Sequence, residues 1–182
     1  MAEDIRQSDS DSGDLSNQRR EAIIAECLRQ AESCLYTSTS LYIWLRRIRV
    51  QKQIFVAAPV IIGGFAGLSF LKDLTPEWVS ALLAFVAGLF PALADALSIQ
   101  TSVDETSRLA SEYKSLQDRF RRNALITTPH DIEVGENVLA DLMDRMDLAR
   151  STSITPPEWA FAKAQKKIKS GHYSFEVDEA GN

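Results

Sequence analysis

The sequence predicts an all-α protein. Its plan is a membrane helical hairpin of two transmembrane helices, continued by long cytoplasmic helices that form a stalk, with two short helices at the C-terminal end. Three observations carry that expectation. Residues 54–71, IFVAAPVIIGGFAGLSFL, hold eighteen positions without a charge. A second charge-free run, WVSALLAFVAGLFPALA over residues 78–94, follows after only the six residues KDLTPE. On either side of this pair the apolar residues fall into helical stripes, and no stretch alternates convincingly enough to read as a strand.

Wound as an α-helix at ~1.5 Å per residue, the first run covers roughly 27 Å, close to the ~30 Å hydrocarbon thickness of a bilayer. A helix in a soluble core needs only one apolar face and alternates it with solvated positions, whereas these runs are apolar all round. Burying two such helices inside a 182-residue chain would require more surrounding protein than remains. The spans are therefore set at about 54–71 and 78–97, joined so tightly that they pair as antiparallel neighbours. The first run lies far from the N-terminus, unlike a cleavable signal peptide of ordinary layout.

Cations give the expected orientation. Arg46, Arg47, Arg49 and Lys52 precede the first span, only Lys72 stands in the connection, and Arg108, Lys114, Arg119, Arg121 and Arg122 follow the second. This bias places both termini in the cytoplasm of an inner (plasma) membrane protein. Arg46, Arg47, Arg49 and Lys52 are expected to contact anionic lipid headgroups. Trp44 and Trp78 stand at the span ends, where indole favours the interface; packing between helices explains Trp44 equally well.

The net charge of −5 averages an apolar hairpin with charged flanks. An acidic balance without a basic face away from the membrane argues against nucleic acid as a partner and for membrane lipid. Residues 1–17, MAEDIRQSDSDSGDLSN, are acidic and nearly free of large apolar groups, and are expected to form a disordered tail. Residues 18–128 comprise the hairpin with its helical extensions, and residues 129–182 the short amphipathic helices and a tail.

Ahead of the first span, Ile24, Ala31, Ser38 and Leu45 recur every seven residues, each followed three positions later by Cys27, Cys34, Leu41 and Ile48. Spacing of three and four keeps these eight on one stripe, which requires a partner helix. Val103, Leu109, Tyr113, Leu116 and Phe120, beyond the second span, supply a looser matching stripe. Cys27 and Cys34 are at least ~10 Å apart by helical rise, too far for a disulfide, so packing is their expected role. His130 and His172 do not stand at ligand spacing from either cysteine, and no metal site is expected. With no nucleophile-base set and no phosphate-binding glycine loop, neither catalysis nor a cofactor is expected.

The second span carries a row of small residues, Ser80, Ala84, Gly88, Ala92 and Ala96, one every four positions. At ~100° per residue that row stays on one side of the helix, with Pro91 and Asp95 in the same arc. Leu82, Val86, Leu89, Phe90, Leu93 and Leu97 occupy the opposite arc and are expected to face lipid. The small ridge is expected to face protein, where close backbone approach drives association in a bilayer. Gly63 and Gly67 give the first span its own small pair, suited to self-association or to packing within one hairpin. Pro91 removes the hydrogen bond to the Ala87 carbonyl and is expected to bend the helix. Asp95 either faces a partner, water or a pore, or extends to the interface.

Beyond Asn123 the helical pattern breaks at Pro129, resumes with Ile132, Val138, Leu139, Leu142, Met143 and Met146, and breaks again at TPP. Thr155 and Gly171 are the expected start and stop signals of the last helix.

The segments AESCLYTSTSLYIWLRRI, SRLASEYKSLQDRF and TPPEWAFAKAQKKIKSGHYSFEVDE, around a short-loop hairpin, resemble the SLATT family, two-span effectors associated with SMODS nucleotidyltransferases and SLOG sensors. The resemblance covers most of residues 20–178. It implies a pore-forming, homo-oligomeric membrane effector of bacterial antiviral defence, acting by abortive infection downstream of a nucleotide-signal-producing enzyme or a sensor partner.

Overall fold

A computed structural model describes residues 2–71, 76–96, 99–151 and 154–171. The described chain is helical apart from brief breaks, and no strand occurs among the described residues. The helices are α1 (Ala2–Leu71), α2 (Glu77–Ala96), α3 (Ile99–Arg122), α4 (Thr128–His130), α5 (Ile132–Ser151) and α6 (Glu158–Lys169), with a π-helical turn at Asn123–Thr127 between α3 and α4. Lys72, Leu97, His172 and the C-terminal tail lie outside the described residues.

α1 starts at Ala2, where composition led us to expect a disordered tail over residues 1–17. Once a helix has nucleated, each added residue gains a hydrogen bond at little further cost, and no proline occurs in α1 before Pro59 to stop that propagation. Local side-chain bonds help. Gln18 Nε2 donates to Asp14 Oδ2 at 3.1 Å, and Ser16 Oγ donates to the Gly13 carbonyl at 2.9 Å. α1 also runs through Pro59, and α2 runs through Pro91.

Two compact units divide the chain. One comprises α1 as far as Leu41 together with everything from Leu109 onward; the other is Tyr42–Arg108. In the first unit the α1 stripe contributes Cys27, Ala31, Cys34, Ser38 and Leu41, all buried. Leu109, Tyr113, Leu116 and Phe120 of α3, Leu142 and Met146 of α5, and Ala160 and Ala164 of α6 are buried as well. The small side chains permit close approach, and an aromatic contact marks it on α6: the Tyr36 and Phe161 rings lie 6.3 Å apart. Arg19 of α1 is ion-paired to Glu136 of α5.

The joint that follows α3 has a specific cause. The π-helical turn ends in α4, which tolerates Pro129 in its first turn because that position needs no amide donor. The break then falls at Asp131, which is extended, two residues after the expected one. α5 follows and is as long as α2, at 20 residues, so it is not a short helix. Its apolar period extends past Met146 to buried Ala149.

α6 begins at Glu158, and the position before it is held by Pro157 without a side-chain cap, in place of the expected Thr155 cap. The Pro157 carbonyl accepts from the amides of Ala160 and Phe161 at 2.9 and 3.2 Å. Glu158 in the first turn and Lys166, Lys167 and Lys169 in the last complement the helix dipole. Gly171 adopts a left-handed φ of 78°, with its amide donating to the Ile168 carbonyl at 3.1 Å. Glycine suits that position because a Cβ would be strained there.

Candidate functional site

The second unit carries the two apolar segments, and each is long and apolar enough to cross a membrane. Only 6% of the most apolar window of either helix is buried, which a core helix of a soluble domain would not show. Val56, Val60, Ile61, Phe65 and Leu68 of α1 stand exposed, as do Trp78, Leu82, Phe85, Leu89 and Leu93 of α2. α2 opens on the Pro76 carbonyl, which accepts from the Val79 amide at 2.9 Å, and its 20 residues extend ~30 Å.

The small residues divide in two. Ser80 is buried at 8% exposure, whereas Ala84, Gly88, Pro91, Ala92, Asp95 and Ala96 are exposed. A Cβ built on Gly63, Gly67 or Gly88 would meet nothing within 4 Å. Among the described residues, therefore, most of the ridge is open.

The side of α2 that is covered carries Leu83, Val86, Ala87, Phe90 and Ala94, all half-buried. Val86 and Phe90 thus depart from the lipid-facing role expected of them. Phe90 meets Phe55 of α1 edge-on, with ring centroids 5.9 Å apart. An aromatic pair of this kind buries far more surface than an alanine ridge, so it decides which face of α2 turns inward.

Of the basic residues before the first apolar segment, Arg46, Arg47 and Arg49 are exposed and Lys52 is half-buried. In the stripe they interrupt, Leu45 and Ile48 pack with Val103 of α3 and with partly buried Trp44. Ile24, the first member of the heptad, is only half-buried, and its neighbour Ile23 is buried at 6% exposure. The stripe therefore shifts by one residue at its N-terminal end, as a straight helix of 3.6 residues per turn drifts from a seven-residue repeat.

Cys27 and Cys34 are free thiols, both fully buried. Burial pushes the Cys34 thiol up to about 11, partly opposed by Arg150. Burial also raises Cys27, with a hydrogen bond from Asn123 pulling the other way. Both hold their protons near neutral pH, the state of a packing residue and not of a nucleophile. Glu26 is lowered by hydrogen bonds from Arg29 and Gln30. Among the described residues no three His, Cys, Asp or Glu side chains gather into a metal cage.

One buried polar joint escaped the sequence reading. Asn123 Nδ2 donates to the Gly135 carbonyl at 2.8 Å and to Cys27 Sγ at 3.4 Å, tying the π-helical turn to α5 and α1. A Cβ on Gly135 would lie 2.5 Å from Thr128 Oγ1 and 2.9 Å from Thr128 Cα, so glycine is what lets α5 approach. The signal for Asn123 was present: it continues the spacing of Leu109, Tyr113, Leu116 and Phe120. A polar residue on a buried stripe needs a partner.

Comparison of the chain with protein-family models, with curated proteins and with solved structures finds no match.

Proposed function

We propose that this chain is an integral inner-membrane effector whose two spans form a hairpin with both termini in the cytoplasm. Hairpins associate through the open small-residue face and permeabilise the membrane, killing or arresting the cell. The observation that carries this reading is the exposure of Ala84, Gly88, Ala92 and Ala96 on a helix of membrane-spanning length, beside uncovered Gly63 and Gly67. In lipid, large side chains gain nothing by leaving the acyl chains, whereas a bare small-residue face lets a second helix backbone approach closely. Asp95, exposed at the end of that face beyond Pro91, supplies a polar lining for a conducting path. The cytoplasmic helices receive the activating event from a nucleotide-signal-producing enzyme or a sensor. That part, and the role in anti-phage defence, rest on the resemblance to SLATT proteins. The action is non-catalytic.

A second reading is a membrane-anchored scaffold that recruits a cytoplasmic partner through its coiled stalk, without a pore. Exposed Leu28, Leu125 and Ile126 in the first unit favour it, since large apolar groups left in water invite a partner.

The deciding experiment compares membrane potential and small-dye entry in bacteria expressing the wild type or Gly88→Leu at matched membrane levels. Depolarisation by the wild type alone is expected. Depolarisation by both would remove the ridge from the mechanism. The scaffold reading requires that unrelated apolar helices replace the spans with activity intact, and that Leu41→Asp abolish it.

A further inference from the structure

In the unit of residues 42–108, a cleft of about 520 Å³ is lined by Arg49, Lys52, Gln53, Val56 and Ala57 of α1 and by Val103 of α3. That volume lies within the ~300–1,000 Å³ of ordinary small-molecule sites. The five α1 residues are spaced by three, one, three and one positions, so they form one stripe along ~12 Å of helix.

The chemistry of the stripe changes in order along it. Two cations come first, then an amide, then two aliphatic side chains. Arg49 and Lys52 have no acidic partner among the described residues, while Arg19 and Arg29 earlier on the same helix are paired. Val103 is 7% exposed and fixed against Leu45 and Ile48, giving the cleft a rigid apolar wall. Val56, at 63% exposure, leaves the apolar end open. The cations immediately precede the charge-free run that begins at Ile54, so the change from polar to apolar lining coincides with the bilayer boundary on the reading above.

We infer that this cleft is a discrete site for one anionic phospholipid. The Arg49 guanidinium and Lys52 ammonium hold the phosphate, Gln53 donates to the glycerol ester region, and the first methylenes of the acyl chains lie along Val56, Ala57 and Val103. A free phosphate or a soluble phosphate ester would use the cations and leave the aliphatic half without a counterpart. The site differs from general attraction of basic residues to a charged surface, because it is saturable and depends on the shape of the cleft. The inference rests on the membrane-spanning reading.

Native mass spectrometry of the purified full chain in neutral detergent tests it, by titration with dioleoyl phosphatidylglycerol or dioleoyl phosphatidylcholine. One phosphatidylglycerol is expected to bind saturably, at least about tenfold more tightly than phosphatidylcholine. Arg49→Gln with Lys52→Gln should weaken it roughly 30-fold, and Arg46→Gln, outside the cleft, less than about twofold. Val56→Trp, which fills the apolar half without altering charge, should weaken it about tenfold.

Equal binding of the two lipids would overturn the inference, as would Arg46→Gln weakening binding as much as Arg49→Gln with Lys52→Gln. Competition by glycerol 1-phosphate as strong as that by phosphatidylglycerol would assign the cations to a soluble phosphate ester and overturn the lipid site. Alkaline carbonate extraction of cell membranes separates the two levels. Release of the wild type would sink the membrane-spanning reading and the lipid site with it. Retention alongside any overturning titration result would sink the lipid site alone.

Discussion

Phe120 of α3 and Phe85 of α2 are the same side chain placed in two different surroundings. Phe120 is 0% exposed in the unit that takes in α1 up to Leu41 and the chain from Leu109, whereas Phe85 is 66% exposed in the unit of residues 42–108. The contrast holds for both units at large. The first hides its stripes among α1, α3, α5 and α6 and turns charges outward; the second fully buries only 6% of the most apolar window of either apolar segment. Water drives the first arrangement through the hydrophobic effect. The second leaves that effect unused, and on the membrane-spanning reading proposed above packing between small residues would replace apolar burial as the source of association.

The largest expected effect breaks this comparison directly. Phe120→Ala should destabilise the detergent-solubilised chain by about 3–5 kcal/mol, the usual cost of emptying a fully buried aromatic site. Phe85→Ala should change stability by no more than about 0.5 kcal/mol. Thermal unfolding followed by circular dichroism measures both, and equal losses would mean that α2 is buried against protein in the isolated chain.

A glycine pair sharpens the same contrast. Gly135→Ala forces a Cβ against the Thr128 backbone and should cost about 1–3 kcal/mol, because the obstructing atoms include main chain that has little room to yield. Gly88→Ala meets nothing and should be neutral or stabilise α2 by up to about 1 kcal/mol through helix propensity. A loss of stability in Gly88→Ala would show that the ridge is already occupied.

Periodicity made much of this legible in advance. Seven of the eight heptad positions, Cys27 through Ile48 in steps of three and four, are buried, because a stripe repeated over several turns has one way to face inward. The two apolar runs were legible for the same reason of length. The inward face of α2 was not. Small and large residues divide that helix into two arcs, and the choice between them turned on one contact, Phe55 with Phe90, across a long sequence separation that no local pattern encodes. Gly135 was missed because a π-helical turn adds a residue to the helical count and shifts every later position, whereas Asn123, three residues beyond Phe120, still stood in the legible stripe. Composition alone also misjudged residues 2–17: a polar segment without a packing face continues as helix when its end is attached to one that has nucleated.

The smallest expected effect concerns Cys34 and appears only in alkali. Burial raises this thiol from its ordinary 9.0 to about 11, so the folded chain keeps a proton that the unfolded chain releases earlier. Its contribution to stability is complete below pH 9, falls as pH rises from there through about 11, and is flat beyond. Every other group in the chain is common to the wild type and a Cys34→Ala variant. The slope of unfolding midpoint against pH should therefore be steeper in the wild type than in Cys34→Ala between those limits. Parallel slopes would mean that Cys34 reaches solvent, and that the first unit opens along the α1 stripe where its burial is now complete.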